Sequence, residues 1–500
     1  MNVMMLLEMA AQGFGERVAF QNGDDTLTYG DLYAAAGVAA RRIRDSGCSH
    51  VATLDVSSLA TPVILFGCAW AGVPYVPLNY RLTEAEIDAL LQRVAPALLL
   101  TGPDRVEDFA GRPDVQALSR EAFLADCRQG EPGEADWSME GENIASLLFT
   151  SGTTGTPKAA ILRQRHLTSY ILSSVEFMSA GEEESALVSV PPYHIAGISS
   201  VLSSTYAGRR VVQLPDFNAP AWLDLAQGQG ISHAFLVPTM LARIVEAFAE
   251  RGDASLPRLR AIAYGGGKMA LPVIERAMSM FPNASFANAY GLTETSSTIS
   301  VLTPEDHRVA VASEDEQVRR RLISAGRPLP GLDVEIRDSQ GRPVAAGVSG
   351  EIYVRGEQVS GEYVGKGSLL DADGWFATRD GGYIDSGGYL FVEGRADDVI
   401  VRGGENMSPG EIEDVLLQHE AVADAAVVGI PDEQWGEAVA AAVVCKPGAE
   451  VAPQALQDWV RQHMRSSRVP ALVRMLDELP YNETGKLLRR VVRVQLAQDA

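Results

Sequence analysis

Short apolar runs recur along the first 300 residues, separated by stretches whose apolar positions fall three or four apart. The runs HVATLD (50–55), TPVILFGCAWAG (61–72), PALLLTG (96–102), SLLFTSG (146–152), ALVSVP (186–191), RRVVQLP (209–215), HAFLVP (233–238) and LRAIAYGGG (259–267) predict strands. EAEIDALLQRV (84–94) and TMLARIVEAFAERG (239–252) carry the helical period between them. Alternation of this kind predicts α/β layers with largely parallel sheets. From Gly326 the pattern becomes short alternating strands punctuated by glycine, as in LDVEIRD, GEIYVRG and GGYLFVEG, which predicts a small β-rich unit. Beyond Arg395 a second α/β pattern follows: a helix over 408–418, strands over 423–430 and 438–446, a helix near 454–464 and a short helix in the tail. Residues 303–322 are dense in charge and read as a solvated surface excursion. No internal repeat is visible.

Composition narrows the class. At 500 residues the chain can bury about three-quarters of its surface, so it needs neither disulfides nor a structural metal. The length suggests about three structural units. Lys+Arg 42 against Asp+Glu 65 gives a net charge of −23, which disfavours nucleic acid and anionic membranes as partners. Cys48, Cys68, Cys127 and Cys445 form no CxxC pair and stand near no histidine at metal-ligand spacing, which predicts reduced thiols in a cytoplasmic protein. The apolar start lacks a basic segment and is broken by Glu8, so it reads as an amphipathic helix rather than a signal peptide. No uncharged apolar stretch of about 18 residues is long enough to span a membrane.

Thr150-Ser151-Gly152-Thr153-Thr154-Gly155-Thr156-Pro157-Lys158 follows the apolar run ASLLF. Hydroxyls and glycines at a strand exit suit a phosphate cradle, because backbone N–H groups converge on an anion without Cβ obstruction. The Walker A spacing is absent, since Lys158 follows proline. TSGTTGTPK resembles the signature loop of the adenylate-forming superfamily of acyl-CoA synthetases, peptide-synthetase adenylation domains and firefly luciferase. YHIAG (193–197), YGGGKMALP (264–272), AYGLTET (289–295), GEIYVRG (350–356), GWFATRD (374–380), GRADDVIVRGGENMSPGEIE (394–413) and LPYNETGK (479–486) match further motifs in the same order. The resemblance implies a large N-terminal domain (1–396) of α/β subdomains with a β-barrel-like unit at 326–394, and a small mobile α+β domain (397–500).

It also implies chemistry. Attack of a carboxylate on the α-phosphate of ATP makes an acyl-adenylate and expels pyrophosphate; coenzyme A or a carrier protein then takes the acyl group. Thr150, Ser151, Gly152, Thr153, Thr154, Gly155 and Lys158 match the loop that holds the β- and γ-phosphates. Glu294 matches the Mg²⁺ ligand, a hard-oxygen role in keeping with what magnesium prefers, and Thr293 the α-phosphate contact. Gly266, Gly267, Asn288 and Tyr290 match the adenine pocket, and Asp380 and Arg395 the ribose contacts. The usual Thr-Gly-Asp is here Thr378-Arg379-Asp380. Lys486 matches the lysine that bridges carboxylate and phosphate oxygens during adenylation. Asp397 occupies the hinge position, and rotation there would exchange Lys486 for Gly403-Gly404-Glu405-Asn406, whose glycines leave room for a pantetheine arm. Trp435 resembles a position that contacts coenzyme A in some relatives. Ser408 and Pro409 fit a helix cap and first turn.

His194 matches a residue near the carboxylate and thiol channel. Ile195, Ile198, Val237, Tyr264, Gly265, Ala289, Ser296 and Ser297 would line the acid pocket by position, with Gly265 leaving depth at its floor. None carries a charge, and a buried ammonium without a partner is costly, so a fatty, aryl or polycyclic acid is expected rather than an amino acid. The expected activity is an AMP-forming acyl-CoA synthetase. The alternative is a free-standing adenylating enzyme that loads a carrier protein.

Overall fold

The computed structural model describes the chain apart from residues 132, 151–156, 253–254, 396–397, 403–404, 433, 483–486 and 499–500 and the side chains of Glu405 and Asn406. Among the described residues, the first 300 positions build two large sheets. One has eight strands in the order 367–368, 362–363, 158–163, 144–150, 75–77, 50–54, 97–101, 115–119. The other has nine, in the order 327–328, 297–302, 285–292, 261–265, 233–236, 185–188, 210–213, 18–22, 25–28. The inner strands of both run parallel, and antiparallel hairpins close the edges. One continuous core, holding Phe20, Phe66, Leu98, Trp222, Leu236 and Ile262, lies between them. A second cluster around Leu54, Val76, Leu91 and Leu99 seats the helix Glu84–Val94 on the outer face of the eight-stranded sheet. That helix starts where Thr83 and Glu86 exchange backbone bonds, a capping box written in the sequence TEAE.

The run 61–72, expected as a strand, is the helix Ala60–Ala71. Ten of its twelve residues are buried, so no polar face imposes the 3.6-residue period by which a helix would be recognised. A Cβ on its Gly67 would lie 2.7 Å from Ala39 Cβ, so glycine against alanine lets it pack tightly on the helix Tyr29–Ser46. The excursion 303–322 is also more than solvated surface. It forms the helices Pro304–Ala312 and Glu316–Arg320, and His307, Ala310 and Leu322 are buried.

The β-rich unit is a four-stranded antiparallel sheet in the order 333–337, 350–355, 376–384, 390–395; among the described residues no pairing of its outer strands closes it into a barrel. Residues beyond 400 form a separate small α+β domain. Along its strand Val422–Asp432, Ala425 and Val427 face one core with Ile412 and Val460, and Ala426, Val428 and Ile430 face another with Val492 and Leu496. Pro409 opens the helix Pro409–Leu417 as expected, but the Ser408 hydroxyl donates to the Glu393 carbonyl (3.0 Å) instead of capping it. The Lys268 ammonium reaches across from the N-terminal domain to Asp414 (2.7 Å) and the Gly410 carbonyl (3.0 Å).

His166 begins the helix Gln164–Ser174 that leads away from the glycine-rich hairpin. Its Nδ1 accepts the Arg163 backbone N–H at 3.2 Å, and it is almost wholly buried. Burial first, then the charges of Arg165 and Arg163, push its pKa down to about 3. The unfolded chain binds this proton near pH 6.5 and the folded chain does not, so stability falls as pH drops below that value. We expect this histidine alone to withdraw about 2 kcal/mol between pH 7 and pH 5. Urea midpoints of the unmodified protein and His166→Gln at both pH values measure it, and an equal acid loss in both would refute the assignment.

Candidate active site

Four parallel strands of the nine-stranded sheet end side by side, and the sequence-predicted residues sit at those ends. In spatial order these are Tyr290 and Thr293 at strand Ser285–Leu292, Gly265 and Gly266 at Ala261–Gly265, Val237 after His233–Leu236, and His194 beyond Ser185–Val188. Positions scattered over 100 residues thus meet along one carboxyl edge, where open α/β sheets bind ligands.

The Tyr290 hydroxyl donates to Asp380 Oδ2 (2.7 Å), and Arg395 Nη1 donates to Asp380 Oδ1 (2.8 Å) and to the Thr378 carbonyl (3.1 Å). Asp380 and Arg395 are cross-strand partners, which fixes this pair before any ligand arrives. Burial, then the Asp380 charge, holds the Tyr290 phenol far above its ordinary pKa, so it remains a donor. Asn288 spends its amide on the Ser324 carbonyl (2.8 Å). Gly266 sits at φ +80°, a conformation that favours glycine, and it and Gly267 are exposed beside Val237. Arg379 occupies φ +63° with its side chain in solvent, so the glycine usual at this position in the resembled motif has a backbone reason.

Thr293 and Glu294 lie in a single 3₁₀ turn, Thr293–Thr295, followed by Ser296 at φ +55° and Ser297 at φ +110°. Two adjacent non-glycine residues at positive φ mark stored strain. Gln358, itself buried, clamps the turn by donating to the carbonyls of Thr295 (2.9 Å) and Thr298 (2.8 Å). The Glu294 carbonyl accepts from Ser360 N (2.8 Å) and Gly361 N (3.2 Å), and its Oε1 accepts from the Tyr363 hydroxyl. Oε2 has no partner among the described residues. No cluster of three or more metal-ligating side chains occurs among them. A single carboxylate without a protein cage fits magnesium, which takes most of its ligands from phosphate and water. Thr150 pairs with Lys158 across the base of the glycine-rich loop, and Lys158 Nζ stands 6.0 Å from the Tyr363 ring centroid. Ser151, Gly152, Thr153, Thr154, Gly155, Asp397, Gly403, Gly404 and Lys486, and the side chain of Glu405, lie outside the described residues.

On the acid side, Ile198 and Val237 are buried, and Ile195, Ala289 and Ser297 half-buried. His194 Nε2 is shielded from solvent with no hydrogen-bond partner among the described residues, and burial lowers its pKa to about 4. The hydroxyls of Ser199, Ser296 and Ser300 are likewise buried and unpartnered there. Tyr264 is fully buried, its hydroxyl on His307 Nε2 (2.9 Å), while His307 Nδ1 donates to the Thr303 carbonyl (2.8 Å). Gly265 has a reason other than depth: a Cβ there would stand 2.1 Å from the Ala289 carbonyl oxygen of the neighbouring strand. Trp435 is exposed, with the Arg402 guanidinium 5.2 Å from its ring.

Sequence reasoning missed Gln358, Tyr363 and His307. The first two follow the GEIYVRG motif within eight residues, but nothing in that stretch of sequence marks their partners.

The acid–arginine–tyrosine set and the Glu294 carboxylate thus gather at one sheet edge, and similarity to known proteins makes the class of protein an AMP-forming, adenylating ligase. The chain belongs to the AMP-binding enzyme family: residues 7–364 match that family and residues 411–486 match the AMP-binding enzyme C-terminal domain. It is 33% identical to the fatty acid–[acyl-carrier-protein] ligase ScoC of Streptomyces coeruleorubidus over 95% of this chain and 92% of that one. It is 31% identical to a feruloyl-CoA synthase of Amycolatopsis over 95% of each. The fold superposes on the o-succinylbenzoate CoA synthetase MenE of Bacillus subtilis in complex with its acyl-adenylate OSB-AMP, with a TM-score of 0.83 and 29% identity over 98% and 97% of the two chains. The same enzyme in complex with ATP and magnesium ion gives 0.83 and 29% over 97% and 98%.

Two substitutions test the backbone argument. Arg379→Gly should raise stability by about 1 kcal/mol, because it removes a left-handed arginine. Gly265→Ala should lower it by several kcal/mol and depress activity on every acid alike. Denaturant midpoints and two acids of different length check both, and a selective loss on the longer acid would restore the pocket-floor reading.

Proposed function

We propose that this enzyme activates an apolar carboxylic acid (fatty, aryl or polycyclic) with ATP and passes the acyl group to coenzyme A. The reading is supported by Lys158, Glu294 and the Tyr290–Asp380–Arg395 set, linked through Tyr363 and Asp380, together with the uncharged side chains Ile195, Ile198, Val237 and Ala289 at the same sheet edge. Asp380 and Arg395 would orient the ribose, Tyr290 the adenine face, and Lys158 with Thr150, Ser151, Thr153 and Thr154 the terminal phosphates. Glu294 would hold a magnesium ion, whose positive charge would offset the negative charge gathering on the departing pyrophosphate. Thr293 and Lys486 would steady the α-phosphate and the attacking carboxylate. His194, held neutral, can accept or donate a hydrogen bond at the carboxylate but brings no charge of its own. The unpaired thiols accord with a reducing, cytoplasmic setting.

Coenzyme A is favoured as acceptor because paired glycines, Gly403 and Gly404, lack the side chains that would obstruct a pantetheine arm, and Trp435 is exposed with the neighbouring Arg402 beside its ring. A carrier protein is the second reading, favoured by the acceptor named for ScoC. Pyrophosphate release across a panel of acids, followed by discharge of the adenylate to coenzyme A and to a carrier protein, separates them. In this scheme Lys486→Ala lowers pyrophosphate release about a hundredfold while sparing thioester formation from a supplied acyl-adenylate. Equal losses in both half-reactions would sink the proposal that rotation at Asp397 removes Lys486 between the steps.

A further inference from the structure

Lys158 and Glu294 belong to different sheets, and the segment 358–363 is laced to both. On one side Gln358 holds the carbonyls of Thr295 and Thr298, and the backbone of Ser360 and Gly361 holds that of Glu294. On the other, Tyr363 pairs with Ala160, Val364 N donates to the Ala159 carbonyl (3.0 Å), and Glu362 receives Arg163 bidentately at 2.9 and 2.8 Å. The Ser360 hydroxyl closes onto the Ile161 carbonyl. At the end of this lacing Tyr363 puts its hydroxyl on Glu294 Oε1 and its ring below the Lys158 ammonium. A phenol contributes one donor hydrogen, and here it is spent on that single carboxylate oxygen.

We propose that Tyr363 is a positioning residue for the cation carboxylate. By fixing Oε1 it holds the carboxylate in one orientation, so the group need not be ordered when ATP and its divalent cation bind. Binding affinity gained this way comes from pre-paid ordering, which a free carboxylate on a turn would surrender. The packing of the ring against Lys158 is a separate contribution, and phenylalanine preserves it.

This inference rests on Glu294 being the cation ligand, so the test addresses both without requiring the natural acid. Mn²⁺ binding is measured by electron paramagnetic resonance in the presence of a non-hydrolysable ATP analogue. Tyr363→Phe should weaken Mn²⁺ about tenfold, the size expected for one hydrogen bond to a charged group. The analogue's affinity without metal should stay within about twofold, since the adenine and ribose contacts are untouched. In a Glu294→Gln background the same change should have no further effect on Mn²⁺, which separates positioning from general loosening. In turnover, the magnesium concentration for half-maximal pyrophosphate release rises while thioester formation from supplied acyl-adenylate holds. Unaltered Mn²⁺ affinity in Tyr363→Phe overturns the role of Tyr363 alone. Failure of the unmodified protein to bind Mn²⁺ with the analogue overturns the reading of Glu294 as well.

Discussion

The active site depends on a single constraint: parts carried by separate sheets must be held at fixed separations without a covalent tie. Lys158 rides on the eight-stranded sheet, Thr293 and Glu294 on the nine-stranded one, and Asp380 and Arg395 on the four-stranded unit. Backbone hydrogen bonds from Ser360 and Gly361 to Glu294, and from Val364 to Ala159, bridge the first two. Tyr290 to Asp380 bridges the second and third. These are bonds between main chains or to buried carboxylates, which lose little to solvent competition and set distance more sharply than side-chain packing does.

Strain is concentrated where the bridges meet. Ser296 and Ser297 sit at positive φ immediately after Glu294, and Gly291 has no room for a Cβ because the Ser297 carbonyl would lie 1.8 Å from it. The turn is therefore tight on both flanks, and Thr295 locks it internally by accepting from Leu292 N and donating to the Ser297 carbonyl. Backbone held this firmly presents the Glu294 carboxylate in one place.

Strands were legible where an apolar run ended in glycine, proline or aspartate; strands such as Ser285–Leu292 and Ser297–Leu302 were not, and the helix Glu84–Val94 was legible from its period. The helix Ala60–Ala71 was not, because burial on every side erases periodicity. The segment 303–322 misled for the opposite reason. Its charges are real and mostly exposed, but one histidine on the inner face reaches Tyr264 through the core, and a single buried polar contact leaves no statistical trace. The residues expected on the nucleotide side came from contiguous motifs, and the fold brings Tyr290, Asp380 and Arg395 among them together. Gln358 and Tyr363 were not, since their task is to hold other residues and nothing in their local sequence announces a partner sixty or more positions away.

Close approach of backbone at Gly265 divides the walls of the proposed acid pocket into two kinds. The sheet side is built from strands already in contact, where an atom added at Gly265 meets the Ala289 carbonyl. The helix Ile195–Ala207 presents Ile195, Ile198 and Ser199 as side chains on a separate element, which can exchange volume or polarity without disturbing strand pairing. A scaffold arranged this way can be retargeted to a new acid from one wall only. Directed evolution of its specificity should accordingly concentrate on that helix and leave Gly265 alone.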